Sequence, residues 1–134
     1  MNSIEHMPPG FENQNKNIAI DFDGVIHLFD KGWNDGTCYG KPIKGSLESI
    51  KELSKNWNII IFTAKARSDR PLVNGKTGEE LVWEWLKKYD LSEYIDEVTS
   101  EKPRAKYYID DKGIRFENWE DSMNLINKYE NNFQ

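Results

Sequence analysis

Short apolar runs alternate along the chain with segments in which apolar residues recur at helical spacing. The runs at 17–22 and 58–63 are rich in β-branched residues and lack strict alternation, so they predict strands buried on both faces of a parallel sheet. Further runs at 94–99 and 105–109 predict a third and a fourth strand, and 114–116 predicts a short fifth. The apolar pattern therefore predicts a sheet of four or five strands.

Three segments between and after these strands predict amphipathic helices. Ser46 is expected to cap the first helix and Asn118 the last. Thr77 and Glu80, three residues apart, are expected to form a capping box at the start of the second. Strands that alternate with helices imply right-handed crossovers and helices on both faces of the sheet. The predicted fold is a three-layer α/β/α sandwich with a Rossmann-like parallel sheet.

The length of 134 residues is enough for one domain with a real core and too little for two of ordinary size. Residues 1–16 combine Pro and Gly with Asn and Gln, so they are interpreted as a flexible N-terminal segment ahead of a single domain at 17–134. The net charge of −5 argues against a broad basic surface for nucleic acid or anionic lipid. A long polyanion is therefore a disfavoured partner.

Cysteine content and hydropathy limit the kinds of site that the chain can form and the cellular compartment that is expected for it. The only cysteine is Cys38, which excludes an internal disulfide and a cysteine-rich zinc site. It lies in a glycine-rich loop, with His6 and His27 as the only histidines, and is interpreted as an ordinary loop cysteine. No apolar stretch approaches the roughly 20 residues of a membrane span, and the N-terminus lacks the layout of a signal peptide. The expectation is a cytoplasmic protein without a membrane partner.

Polar residues that could carry chemistry lie at the carboxyl ends of the predicted strands. In a parallel sheet these ends share one edge, where ligand sites form near the switch point of the strand order. Each residue alone is common in a structural role, such as a turn aspartate or a surface lysine. Their joint occurrence predicts one site: Asp21 and Asp23 after the first strand, Thr63 after the second, Lys102 before the fourth, and Asp110 with Asp111 after it.

Four short motifs around these residues resemble those of the haloacid dehalogenase (HAD) superfamily. They are DFDGV beginning at Asp21, IIIFT ending at Thr63, EKP around Lys102, and YYIDD ending at Asp111. The resemblance extends over nearly all of the predicted domain. It implies a HAD-like α/β fold and a site at the carboxyl edge of the sheet.

Two features indicate which members of that superfamily the chain resembles. Members often carry a cap domain in one of two intervals, but here 28–45 is only a loop and 100–102 leaves no room for one. The chain therefore looks like a minimal, capless member without a large cap domain. Dehalogenases lack the second aspartate of the first motif, so the presence of Asp23 makes the chain resemble the phosphatases or phosphotransferases instead.

The resemblance implies distinct roles for the acidic residues. Asp21 would be the nucleophile that forms an aspartyl-phosphate, and Asp23 the general acid and base. A magnesium ion would be held by the Asp21 carboxylate, the backbone carbonyl of Asp23 and an acid after the fourth strand. Asp111 is favoured as the direct ligand. Asp110 would bind through water or orient Lys102.

The resemblance also implies phosphate contacts. Thr63 would donate its hydroxyl to a phosphate oxygen, and Lys102 would neutralise charge on the transferring group. Lys106 is the weaker candidate for that cation, because it lies inside the predicted fourth strand. Gly24 is expected to let the backbone turn out of the sheet. The remaining predicted substrate contacts are Ala64, Lys65 and Arg67.

Substrate choice would depend on two loops over the open site. The 28–45 loop, called the flap from here on, contributes Phe29, Trp33, Asn34 and Tyr39, and the 64–76 loop contributes Lys65, Arg67 and Arg70. The acidic net charge favours a small phosphate ester such as a nucleotide or sugar phosphate. Two alternatives stay open, a 3′-phosphatase on nucleic acid ends and a low-turnover binding or regulatory module. The possibility that a partner subunit covers the site is a further open alternative.

Overall fold

The computed structural model describes residues 16–110 and 114–132. Its strands are β1 at Asn17–Asp21, β2 at Asn58–Phe62, β3 at Glu97–Thr99, β4 at Tyr107–Asp110 and β5 at Ile114–Arg115. They form one sheet in the order β3–β2–β1–β4–β5, and every neighbouring pair is parallel. The α/β class with a parallel sheet is therefore confirmed.

The centre of the sheet is apolar, as the sequence pattern predicts. In β1 the consecutive residues Ile18, Ala19 and Ile20 are completely buried, and 59–61 in β2 are buried as well. Consecutive buried residues point to opposite sides of a strand, so both faces of the central strands are covered. Each fully buried isoleucine contributes about 1.5–3 kcal/mol relative to an exposed one. The middle of the apolar core therefore lies at β1 and β2.

The third strand is shorter than expected. It begins at Glu97 rather than at residue 94, because Ser92–Tyr94 forms a 3₁₀ turn. Asp96 precedes the strand and accepts the backbone N–H of Ile59 through its carboxylate at 2.7 Å. Asp96 also donates its backbone N–H to the Ile59 carbonyl at 2.9 Å, so the Ile59 backbone is paired by the backbone and the side chain of the same residue.

Within residues 16–110 and 114–132, three α-helices accompany the sheet: α1 at Ser46–Ser54, α2 at Gly78–Lys88 and α3 at Trp119–Asn132. The capping box before α2 is confirmed, since Thr77 Oγ1 accepts the Glu80 N–H at 3.1 Å and Glu80 Oε1 accepts the Thr77 N–H at 3.1 Å. The Asn118 cap is also confirmed, with its side-chain oxygen 2.8 Å from the Asp121 nitrogen.

The predicted Ser46 cap is wrong. Gly45 occupies the capping position in a left-handed conformation with φ of 87°, and no side-chain hydrogen bond caps α1. Ser46 is instead the first helical residue and is completely buried. A Cβ at position 45 would lie 3.1 Å from Trp119 Cβ, so both the space and the conformation favour glycine there.

No helix in the described part of the chain is long and apolar enough to cross a membrane. Apart from Lys16, the predicted N-terminal segment 1–16 lies outside the described residues. The single-domain organisation of 17–134 stays a prediction.

Candidate active site

Three strand ends meet at the carboxyl edge of the sheet. The register pairs Asp21 of β1 with Phe62 of β2, and Thr63 follows directly. On the other side, Ile20 pairs with Ile109 of β4, whose last residue is Asp110. The two carboxylates and the hydroxyl that the sequence places at strand ends therefore belong to adjacent strands.

A tight turn follows β1. The Phe22 carbonyl oxygen accepts the backbone N–H groups of Val25, Ile26 and His27 at 3.2, 2.9 and 3.0 Å. Gly24 adopts a left-handed conformation with φ of 83°, which matches the turn expected there. The turn folds the chain back so that His27 lies beside Asp23.

Both carboxylate oxygens of Asp23 face a donor. Oδ1 lies 2.9 Å from His27 Nδ1, and Oδ2 lies 3.4 Å from Lys65 Nζ. The Asp23 side chain is 17% exposed, whereas the His27 side chain is fully buried and that of Lys65 is 1% exposed. Solvent therefore reaches the carboxylate but not the two groups that hold it.

His27 is the middle of a partly buried chain of hydrogen bonds. Its Nε2 accepts the Gly40 N–H at 2.8 Å, so the ring proton must be on Nδ1, where it is donated to Asp23. The Gly40 carbonyl accepts the indole N–H of Trp85 in α2 at 2.8 Å. We call the series Trp85, Gly40, His27 and Asp23 the relay. It links a helix to Asp23 through the flap.

The surroundings of the relay leave His27 little freedom. Its ring stacks on Phe22, with centroids 5.1 Å apart and planes almost parallel, and meets Trp85 and Tyr39 edge on. A Cβ at Gly40 would overlap the Leu28 carbonyl oxygen, so the close approach of the flap requires glycine at that position.

Lys65 lies beneath the flap rather than in open solvent. Its Nζ is 4.3 Å from the ring centroid of Trp33 and 5.0 Å from that of Phe29. The Arg70 guanidinium lies 4.4 Å from the same Trp33 ring. Lys65 Nζ is buried and makes no hydrogen bond within 16–110 and 114–132. Cation–π contacts and the Asp23 ion pair thus hold this ammonium.

The second acid–cation pair is Asp110 with Lys102. Lys102 Nζ lies 2.8 Å from Asp110 Oδ2, and the Asp110 side chain is 4% exposed. Lys106, the weaker candidate, instead lies 2.9 Å from Glu130 of α3. The structure therefore places Lys102, and not Lys106, beside the strand-end carboxylates.

The other predicted substrate contacts differ in their placement. Thr63 is buried, and its Oγ1 accepts the Lys65 N–H at 3.2 Å, which uses a lone pair and leaves the hydroxyl proton able to donate. Ala64 is exposed at the start of the 3₁₀ turn Ala64–Ala66. Arg67 is exposed and pairs with Asp69 at 2.7 Å; these hydrogen bonds lower the pKa of Asp69. Arg67 is thus held by a surface neighbour.

The predicted metal ligands lie only partly within the described residues. Asp21 Oδ1 accepts the Phe22 N–H at 2.8 Å. Asp111 lies outside the described residues, so the choice between Asp110 and Asp111 as the direct ligand stays a prediction. Within 16–110 and 114–132, no group of three or more His, Cys, Asp or Glu side chains could hold a metal ion.

Sequence reasoning missed the role of His27 and Trp85 beside Asp23. The available signal was a lone histidine four residues after Asp23, at the end of an otherwise apolar run. Trp85 carried no local signal, because its pattern is that of an ordinary core position of an amphipathic helix.

Comparisons with models of protein families, with curated proteins and with solved structures find no match to this chain. The superfamily resemblance stays a prediction that rests on the four motifs.

Cys38 is part of the flap and lies partly buried against the core. Burial raises the pKa of its thiol to about 12. The thiolate that a nucleophile requires is therefore scarce at neutral pH. As the pH rises above about 9, the unfolded chain loses this proton before the folded one, so the thiol's contribution to stability decreases as the pH rises towards about 12.

We predict that iodoacetamide alkylates Cys38 of the native chain at pH 8 much more slowly than it alkylates the same chain in denaturant. The thiol pKa is about 12 in the folded chain and has its ordinary value of 9.0 in the unfolded one, so the rates should differ by up to about a thousandfold. Mass spectrometry of timed samples measures both rates. Equal rates would contradict the burial of Cys38.

Proposed function

We propose that the chain is a magnesium-dependent phosphate monoester hydrolase of the HAD type, with a capless three-layer α/β/α fold and a Rossmann-like sheet. One observation carries the proposal. Asp21 is the last residue of β1, and Asp110, which pairs with Lys102, is the last residue of the adjacent parallel strand β4. Asp23 follows β1 and is held by His27 and Lys65. A nucleophile, a proton carrier and a cation for phosphate are the groups that phosphoryl transfer through an enzyme carboxylate needs.

The donor set at this edge suits magnesium. Mg²⁺ prefers oxygen ligands and is usually held through one or two carboxylates, with waters and substrate phosphate completing its shell. Asp21 and Asp110 supply carboxylates on adjacent strands, Asp23 would add its backbone carbonyl, and Asp111 is the next acid along the chain. When bound, the ion would offset the carboxylate charge and polarise the phosphoryl oxygens.

The reaction proceeds in two steps. A carboxylate oxygen of Asp21 attacks the phosphorus while the bond to the ester oxygen breaks, and Asp23 donates a proton to that leaving oxygen. Asp23, now a carboxylate, accepts a proton from a water molecule that attacks the phosphorus of the aspartyl-phosphate. Inorganic phosphate leaves, the Asp21 carboxylate is restored, and Asp23 carries a proton again.

Two further side chains act on the transferring phosphoryl group. The Thr63 hydroxyl donates to one of its oxygens, and the Lys102 ammonium offsets its negative charge. Lys102 is 40% exposed on one side while it contacts buried Asp110 on the other, so it can reach a ligand without losing its anchor. These contacts position the phosphorus in line with Asp21.

A small phosphate ester, such as a nucleotide or sugar phosphate, is the proposed substrate class. The net charge of −5 disfavours a long polyanion, whose binding depends on an extended basic surface. The flap lies against Lys65, the ion-pair partner of Asp23, through Phe29 and Trp33.

We predict that the native chain releases phosphate from p-nitrophenyl phosphate with magnesium and loses this activity in EDTA. Asp21→Asn removes the attacking oxygen, so release should fall by about a thousandfold or more. Phosphate release by both chains, with and without EDTA, is the measurement. Equal hydrolysis by the two chains would rule out an aspartyl-phosphate on Asp21.

Two lysines provide a matched test of the phosphate cation. Lys102→Met should lower kcat/KM by about a hundredfold or more, because it removes a charge that stabilises the transferring group. Lys106→Met also removes an ion-paired lysine, but that lysine pairs with Glu130 away from the strand-end acids, and it should leave kcat/KM nearly unchanged. Equal losses in the two variants would exclude a specific role for Lys102.

A further inference from the structure

We propose that His27 is a positioning residue for Asp23 and that the relay determines which oxygen of Asp23 exchanges the proton with the leaving group. The inference rests on the proposed function. His27 would act without touching the substrate, by holding Oδ1 and leaving Oδ2 for proton transfer.

The hydrogen bonds of His27 indicate that it does more than pack in the apolar core. A buried apolar ring would fill the same space without the cost of burying two polar nitrogens. Here both nitrogens are satisfied, Nε2 by the Gly40 N–H and Nδ1 by Asp23 Oδ1. The Gly40 bond fixes the tautomer, because only an Nε2 lone pair can accept that N–H. The ring is thereby committed to donate to Asp23.

This arrangement makes the two oxygens of Asp23 different. Oδ1 is occupied by the His27 N–H at 2.9 Å, from a ring that stacks on Phe22 and whose other nitrogen accepts the Gly40 N–H. Oδ2 lies 3.4 Å from Lys65 Nζ, which makes no hydrogen bond in the described part of the chain. Among the described residues, Oδ2 therefore lies beside a positive charge but accepts no hydrogen bond from it, whereas Oδ1 accepts the His27 N–H.

The proton step follows from that difference. When the phosphorus–oxygen ester bond breaks, the proton on Asp23 Oδ2 moves to the leaving oxygen, and its bonding electrons remain on Oδ2. The new carboxylate is stabilised by the His27 N–H on one oxygen and the Lys65 ammonium on the other. The same oxygen then receives a proton from the attacking water, which closes the cycle.

The relay also ties Asp23 to the flap. His27 is held by the backbone of Gly40, a flap residue, and Gly40 is held by Trp85 of α2. Lys65, on the other oxygen, lies under the flap rings of Trp33 and Phe29. A flap in its observed place thus supports both sides of the Asp23 carboxylate.

Two substrates that differ in the need for a proton test the proposal. p-Nitrophenolate leaves as a stable anion, whereas phenolate, with a pKa of about 10 like that of tyrosine, benefits from protonation as it leaves. The readout is the ratio of kcat/KM for p-nitrophenyl phosphate to kcat/KM for phenyl phosphate. Both substrates are assayed on the same sample, so a loss of folded protein cancels from the ratio.

Two substitutions at position 27 separate the roles of its nitrogens. His27→Gln places its amide near the position of Nε2, where it can still accept from Gly40, but offers no donor at the position of Nδ1. His27→Asn places its amide near Nδ1 and can donate to Asp23. We expect the ratio to rise about tenfold or more in His27→Gln and to stay close to the native value in His27→Asn.

An unchanged ratio in His27→Gln, even with both activities reduced, would overturn the positioning role and leave His27 a structural residue. Two further variants locate the failure. If Asp21→Asn is inactive and Asp23→Asn raises the ratio while His27→Gln does not, only this inference fails. If Asp21→Asn hydrolyses both substrates at native rates, the proposed function fails and the inference fails with it.

Discussion

The crowding of like charges at one edge of a parallel sheet is the constraint on which the rest of the site depends. β1 lies at the centre of the sheet, so Asp21 at its end lies next to Asp110 at the end of the neighbouring strand, and Asp23 follows two residues after Asp21. Carboxylates removed from water are costly unless each is paired or hydrogen-bonded. Asp21 accepts a backbone N–H, Asp23 is held by a histidine and a lysine, and Asp110 by Lys102.

Much of the local structure serves to deliver those partners. The left-handed turn at Gly24 returns the chain so that His27 meets Asp23. The flap covers Lys65 with aromatic rings, which keeps its ammonium against the carboxylate instead of in solvent. A loop that would otherwise be a surface connection therefore becomes part of the electrostatics of the site.

The strands and caps that could be predicted from the sequence are those whose causes are local. The structure of β1 and β2 depends on short β-branched runs, and the capping box depends on Thr77 and Glu80, so a few neighbouring residues are enough to predict each of them. The prediction that Ser46 caps α1 was wrong because the start of this helix depends on the left-handed conformation of Gly45, and Gly45 packs on Trp119, which is far along the chain. The third strand was predicted too long because a 3₁₀ turn precedes it and Asp96 pairs with β2 through its side chain as well as its backbone.

The same distinction applies to the site. That strand-end acids share an edge follows from the topology of parallel sheets, so Asp21 and Asp110 could be predicted to lie together. The partners of Asp23 could not, because the relay joins residues 13 and 45 positions apart through the backbone of Gly40. The burial of Lys65 likewise depends on where the flap settles, and its sequence context is that of an exposed basic loop.

The central claim is that Asp21 carries the phosphoryl group during turnover. The most direct measurement starts with the native chain hydrolysing p-nitrophenyl phosphate in the presence of magnesium. The reaction is quenched during turnover, the protein is reduced with borohydride, and the modified residue is mapped by mass spectrometry. An aspartyl-phosphate is reduced to homoserine, so the account predicts homoserine at position 21 and unmodified aspartate at 23 and 110. Phosphate release with no reduced residue, or with reduction at a position other than 21, would contradict it.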